Sequence, residues 1–178
     1  MKVFVTGVAG QLGHDVMNEL EKRGYEGVGS DIAPEYAGVQ DGSAVTKMPY
    51  ISLDITDKAA VEQILCEVQP DVVVHCAAWT AVDLAEDDDK VEKVRAINAG
   101  GTENISTDYV FDGQGTEPWE PDCKDYHPIS VYGSTKLEGE LAVANNLEKY
   151  FIVRIAWVFG VNGKNFIKTM LSLSEKYD

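Results

Sequence analysis

Basic side chains are scarce. Lys and Arg number 15 against 30 Asp and Glu in 178 residues, a formal charge of −15. Such a surface repels nucleic acid and anionic membrane, so neither is expected as a partner. Any anionic ligand must then be held by backbone donors or single cations rather than by a basic patch. Cysteine is sparse too. Cys66, Cys76 and Cys123 are odd in number, and their spacing fits neither a zinc site nor a disulfide framework. Cys76 lies in an apolar run and reads as a small buried hydrophobe. The three histidines are scattered, and no metal centre is expected. Long apolar runs are missing: the longest, around Val72 to Trp79, falls far short of a membrane span. The opening run stops at Thr6-Gly7, too early for the core of a secretion signal. There is no repeat of fixed period and no low-complexity tract. A cytoplasmic location is the expectation.

What is present is the alternation of an α/β chain. The length suits one domain, and 44% hydrophobic residues suit an ordinary core. Strands are expected at Lys2 to Thr6, Tyr25 to Asp31, Tyr50 to Leu53, Val72 to Cys76, Ser106 to Phe111 and Phe151 to Ile155. Helices are expected over Gln11 to Arg23, Lys58 to Val68, Asp87 to Ile105, Val131 to Asn145 and Asn165 to Tyr177. Gly24 stops the first helix, and Asp57 is placed to cap the second. Ile32 to Pro49 and Asp112 to Pro128 read as loops. The run Val72-Val73-Val74-His75-Cys76 is apolar on both faces, as in a central parallel strand. The pattern predicts a Rossmann-like, doubly wound parallel sheet.

Between the first strand and first helix lies Thr6-Gly7-Val8-Ala9-Gly10-Gln11-Leu12-Gly13. Gly7 permits a tight turn, Gly10 lets backbone approach a pyrophosphate, and Gly13 lets helix pack close to strand. The helix start offers N–H groups and a positive dipole end for phosphate. Three glycines in a chain with 16 mean little by themselves; their place between strand and helix makes them informative. Asp31 ends the second strand, where an acid would take the adenosine ribose hydroxyls. Its charge favours NAD over NADP, but only softly, and NADPH or NADH remains the cofactor expectation.

Tyr132 and Lys136 lie four apart on a predicted helix and so share a face. An ammonium beside a phenol favours phenolate, which lets tyrosine give a proton to a carbonyl oxygen as hydride reaches the carbon. That spacing arises readily by chance. Its company, Ser106-Thr107 at a strand end and the glycine loop upstream, gives it weight.

These features, with Cys76-Ala77-Ala78-Trp79-Thr80-Ala81-Val82-Asp83-Leu84-Ala85-Glu86, Ser106-Thr107-Asp108-Tyr109-Val110-Phe111-Asp112-Gly113, Val131-Tyr132-Gly133-Ser134-Thr135-Lys136-Leu137-Glu138-Gly139-Glu140 and Arg154-Ile155-Ala156-Trp157-Val158-Phe159-Gly160, resemble the extended short-chain dehydrogenase/reductase superfamily. Within it the chain is most similar to the dTDP-4-dehydrorhamnose reductases. The resemblance implies NAD(P)H-dependent reduction of the 4-keto group of a 6-deoxy nucleotide sugar. It makes Tyr132 the proton donor and Lys136 its partner, which also holds the nicotinamide ribose. Thr107 would bond the keto oxygen, and Asn98 would support the lysine through water. Gly7, Gly10, Gln11, Leu12, Gly13, Asp31, Asp54, Ile55, Ala77 and Ala78 would meet the cofactor. Thr80, Val82, Asp108 and Trp157 would join Thr107 and Tyr132 on the substrate side. A nucleotide sugar is the implied partner, and a homodimer is admitted.

Related dehydratases carry Thr-Asp-Glu; here Thr107-Asp108-Tyr109 lacks the glutamate that assists elimination. Two readings stay beside the reductase: a non-catalytic nucleotide-binding regulatory subunit, and another nucleotide-sugar reductase or epimerase. The chain also departs from the family in two ways. Family members continue beyond Asp178 with residues that build most of the sugar-nucleotide pocket, so that domain is expected to be largely absent from these residues. And a helix running down the sheet to Ile105 needs a crossover before a strand can return to Thr107, so about fourteen residues are expected to be missing between Ile105 and Ser106.

Overall fold

The computed structural model describes residues 1–38, 47–101, 105–114, 116–163 and 165–176, with side chains left aside at 105–108. The chain forms two compact units, Met1–Ala77 with Trp157–Asp178, and Ala78–Ala156.

In the first unit, β1 (Lys2–Thr6), β2 (Glu26–Asp31), β3 (Tyr50–Ser52) and β4 (Val72–His75) form one sheet in the order β3-β2-β1-β4. All three pairings are parallel; Phe4 sits opposite Val28 on one side and Val73 on the other. The pleat of β1 splits the core. Val3 and Val5 pack with Val8, Met17 and Leu20, under α1 (Gln11–Lys22). Phe4 points the other way, with Val28 and Leu53, onto Ala60, Val61, Ile64 and Leu65 of α2 (Lys58–Val68). Helices thus cover both faces, as a doubly wound sheet requires.

The ends of these helices follow from sequence. Gly24 adopts φ +69°. Its N–H donates to Glu21 O and the Tyr25 N–H to Leu20 O, the paired bonds that close a glycine-terminated helix. Asp57 caps α2 by accepting from Ala60 N at 3.1 Å. The expected loop from Ile32 to Pro49 is described only outside residues 39–46.

β4 differs from expectation. It has β1 on one side and no second neighbour among the described strands of its sheet, and Val72 and Val73 are 42% and 37% exposed. An apolar pattern reports that a strand suits burial on both faces; it does not supply the covering element. Cys76 is half-buried, and burial pushes its thiol up to about 12, which leaves it unreactive. The last helix, α5 (Phe166–Lys176), also belongs to this unit; Phe166, Ile167, Met170 and Leu171 on it are exposed.

The second unit contains a short 3-10 turn at Asp83–Glu86, α3 (Val91–Arg95) running into a π turn at Ala96–Gly100, β5 (Ile105–Thr107), a second 3-10 turn at Asp108–Val110, α4 (Val131–Asn146) and β6 (Val153–Ile155). β5 and β6 pair in parallel, Ile105 to Val153 through Thr107 to Ile155. Among the described residues this unit's sheet is two-stranded, β5 beside β6. The helix expected from Asp87 to Ile105 is shorter: it begins at Val91 and ends at Gly100. Two consecutive glycines, with the largest backbone entropy to lose, stand at its end. Ile105 is strand, and the Ile105–Ser106 step lies inside β5, its residues in consecutive register with β6. The strand expected over Ser106 to Phe111 stops at Thr107, where the 3-10 turn begins.

Candidate functional site

The carboxyl ends of β1 and β4 mark the point where strand order reverses, the place where open parallel sheets take ligands. The glycine loop leaves β1 there. Gly7 has φ +71°, and a Cβ on it would lie 2.5 Å from Ala77 N. A Cβ on Gly13 would lie 2.3 Å from Gly7 O, so helix and strand approach through hydrogen. A Cβ on Gly10 would lie 3.2 Å from Gly7 O, a tight contact, with no other atom outside its neighbours within 4 Å.

The loop's own bonds decide which donors remain. Val8 N–H goes to Ser30 O, Gly10 N–H to Gly7 O, and His14 N–H to Gly10 O. Ala9 N–H donates to Asp31 Oδ2 at 3.0 Å. No side chain caps α1, which leaves the Leu12 and Gly13 N–H groups without a partner among the described residues. Two adjacent unspent donors at a helix N-terminus suit a phosphate.

Asp31 stands at the carboxyl end of β2, half-buried; its other oxygen accepts from its own neighbour's Ile32 N–H at 2.8 Å. It therefore ties the glycine loop to β2 and keeps its charge at the sheet edge. Asp54 follows β3, exposed, and accepts from Thr56 N and Thr56 Oγ1 in a tight turn; Ile55 beside it is half-buried. Ala77 follows β4, and its N–H donates to Thr6 Oγ1 at 3.3 Å. The loop, Asp31, Asp54 and Ala77 thus share the carboxyl edge of one sheet. Ala78 opens the second unit.

In that unit, Ser130 caps α4 by accepting from Gly133 N at 3.0 Å. Tyr132 and Lys136 follow one turn apart. Tyr132 is half-buried, its ring edge-to-face with Tyr109 at 5.8 Å. Lys136 is 3% exposed, and burial pushes its ammonium down to about 8 against the opposing pull of the Glu140 carboxylate. Glu140 is itself buried and committed elsewhere: Arg154 grips it from Nε at 2.8 Å and from an Nη at 2.6 Å. The same guanidinium donates to Tyr126 Oη at 3.0 Å and lies over the Phe111 and Tyr126 rings. A carboxylate bound twice by arginine neutralises Lys136 only weakly, so a charged lysine stays poised to lose its proton.

Asn98 lies fully buried in the π turn, a distortion that recurs at functional sites. It accepts from Trp79 N at 2.9 Å and donates to Trp79 O and Thr135 Oγ1, both at 3.3 Å. Thr135 Oγ1 in turn donates to Tyr132 O. Asn98 therefore links the segment after β4 to the turn of α4 that carries Tyr132 and Lys136.

Thr107 ends β5 opposite Ile155, and Asp108 opens the following turn; both side chains lie outside the described set. Thr80 is exposed and Val82 half-buried. Trp157, in the first unit, is 77% exposed and holds φ +56°, a left-handed conformation that is strained for so bulky a residue. Among the described residues no three His, Cys, Asp or Glu side chains are grouped to hold a metal. The sequence reading missed Thr6, whose hydroxyl pairs with His75 Nδ1 at 2.7 Å and pins the ends of β1 and β4. It also missed Glu140, although its place one turn beyond Lys136 was a signal, and Asn162, for which no local signal exists.

The model of one protein family, described as the RmlD substrate binding domain, matches residues 1–178. The chain belongs to the RmlD substrate binding domain family. A dTDP-4-dehydrorhamnose reductase of Streptomyces griseus is 38% identical over 190 aligned positions, covering 98% of this chain and 56% of that protein. A crystal structure of such a reductase from Clostridium acetobutylicum superposes with a TM-score of 0.83 at 38% identity, over 100% of this chain and 61% of that one. The Bacillus anthracis reductase, solved with NADP, gives 0.81 at 32% identity, over 99% and 61%. This RmlD-family chain therefore spans a little over half the length of the relatives it matches, and these solved relatives share its parallel α/β, Rossmann-like architecture.

Proposed function

We propose that the protein reduces the 4-keto group of dTDP-4-dehydro-6-deoxy-L-mannose (dTDP-4-dehydrorhamnose) to dTDP-L-rhamnose, with NADPH or NADH as reductant. The observation that carries this reading is Tyr132 one helical turn from Lys136, which is 3% exposed and whose ammonium burial pushes down to about 8. Family membership supports it, as do the names of the reductase relatives.

Bound NADPH or NADH would supply the hydride. This chain's residues do the rest. The Leu12 and Gly13 N–H groups, with Gly7, Gly10 and Gln11, hold pyrophosphate at the start of α1. Asp31 takes the adenosine ribose, Asp54 and Ile55 the adenine, and Ala77 and Ala78 border the cofactor. Tyr132 gives its phenolic proton to the 4-keto oxygen as C4 becomes a carbinol. Lys136, charged, stabilises the phenolate left behind and holds the nicotinamide ribose. Thr107 donates to the same oxygen, and Asn98 supports Lys136. Thr80, Val82, Asp108 and Trp157 meet the sugar nucleotide.

The Asp31 carboxylate repels a 2′-phosphate, which favours NADH; the B. anthracis structure holds NADP, and acceptance of both is our reading. We assign most of the sugar pocket to residues that relatives carry outside the aligned part. The 190 aligned positions exceed the 178 residues of this chain, which supports an inserted segment in relatives; we place it at 105/106. Peptide mapping of the native protein that finds Ile105 joined to Ser106 rejects that placement. A cytoplasmic location and a homodimer belong to the same proposal; no described helix is long and apolar enough to cross a membrane.

The test is loss of NADPH or NADH absorbance with dTDP-4-dehydrorhamnose and full-length protein. Cofactor binding without turnover would favour a regulatory nucleotide-binding role instead.

A further inference from the structure

The segment after Trp157 returns to the glycine loop through one buried side chain. Asn162 is 3% exposed. Its amide nitrogen donates to Ala9 O at 2.6 Å and to Gly10 O at 3.1 Å, across 153 and 152 residues of sequence. The strap that carries it is itself fastened. Asn165 donates to Gly160 O at 3.0 Å and to Gln11 Oε1 at 3.3 Å, and accepts from Lys168 N. Lys168 Nζ donates to Val161 O and Gly163 O.

We infer that Asn162 is a positioning residue for pyrophosphate binding: by holding the Ala9 and Gly10 carbonyls it aims the N–H groups that begin α1. This rests on the dinucleotide reading above. The physics is that of the planar trans peptide, in which C=O and N–H point in opposite directions. Ala9 O and Gly10 N belong to one peptide unit, whose N–H is spent on Gly7 O; Gly10 O and Gln11 N belong to the next, which leads straight into the Leu12 and Gly13 donors. A donor that fixes a carbonyl on one side therefore fixes its N–H on the other. Gly10 needs this help more than most residues, because glycine has no side chain to restrict its dihedrals.

The chemistry of the donor fits. A −15 protein must hold an anion with backbone dipoles, and their value depends on how firmly they are oriented before the ligand arrives. An amide can give two hydrogens to two carbonyls without adding charge. A carboxylate in its place would face those carbonyls with no hydrogen to give, and Asp31 already brings one negative charge to the loop.

The experiment uses the full chain, with Asn162→Ala and the milder Asn162→Ser, and three probes: NADH, ADP and adenosine. Affinities are measured by calorimetry, folding by thermal melting. Loss of two hydrogen bonds that orient the loop predicts ADP and NADH binding weaker by about ten- to a hundredfold in Asn162→Ala, less in Asn162→Ser. Adenosine, which lacks phosphate, should bind both variants as it binds wild type. A merely structural role would lower all three ligands together, and that result overturns the inference, as does unchanged ADP affinity. If Asn162→Ala does not fold, Asn162→Ser carries the test by the same readouts. Wild-type protein that binds neither NADH nor ADP removes the dinucleotide reading and this inference with it. Wild-type binding with unaffected variants removes this inference alone.

Discussion

In the first unit β1 lies between two apolar layers, Val3 and Val5 against α1, Phe4 against α2. In the second, α4 turns a lysine, a glutamate and a threonine inward, and an arginine on β6 and an asparagine in a π turn meet them. The first arrangement draws on non-directional burial, worth roughly 25 cal/mol per Å² and tolerant of small shifts. The second depends on directed bonds whose partners are costly to leave unmatched. The contrast matches the work proposed for each. A loop that presents backbone donors needs a rigid platform. A lysine that must stay charged yet easily deprotonated needs burial and a neighbour whose charge is already engaged.

Variants that strike one unit and spare the other sharpen this comparison. Tyr132→Phe should lower turnover by about 10²–10⁴-fold, the range for one general acid, while leaving NADH affinity near wild type. Near-normal turnover would show that the proton comes from elsewhere. Gly10→Leu is its counterpart in the first unit: cofactor binding should be abolished and the melting profile kept. Unchanged affinity would move the pyrophosphate away from this loop.

Arg154→Met strips a buried carboxylate of its partner, and removing one side of a buried pair costs about 3–5 kcal/mol. Hydrogen exchange should show the loss concentrated in α4 and β6, with β1 and α1 protected as before. Loss spread evenly over the chain would mean the two units share one stability.

Lys136→Met tests the same network with the opposite sign. Burial pushes the folded lysine down to about 8, from the ordinary 10.5. Between those values the unfolded chain binds the proton and the folded one does not, so stability rises with pH across that window. Below it both forms are charged, and burying the ammonium costs the fold roughly 3 kcal/mol. Lys136→Met should therefore melt higher at neutral pH, lose activity, and show no such rise between pH 8 and 10.5. The charged group that acts on it is Glu140, itself bound to Arg154. The smallest effect is expected at Asp57→Ala, which removes the α2 cap at a cost of about 1 kcal/mol and touches neither function.

Much of this was legible in the residues themselves. Gly7, Gly10 and Gly13 announced the loop because left-handed dihedrals and close backbone approach are properties of the residue type. Gly24 and Asp57 announced helix ends for the same local reason. The Tyr132-to-Lys136 spacing placed both on one face because a helical turn is 3.6 residues. Other features needed the chain to fold. The valines of β4 read as central, yet whether a strand has a second neighbour depends on residues distant in sequence. The helix drawn to Ile105 stops at Gly100, since a hydrophobic period continues past a glycine pair that the backbone does not follow. Arg154 and Glu140, and above all Asn162 on the carbonyls of Ala9 and Gly10, are contacts over 14 to 153 residues. Sequence by itself determined which residues could turn, cap and donate. Only the tertiary structure decided which carbonyl and which carboxylate they would meet, because a hydrogen bond is a matter of position and direction in space, not of order along the chain.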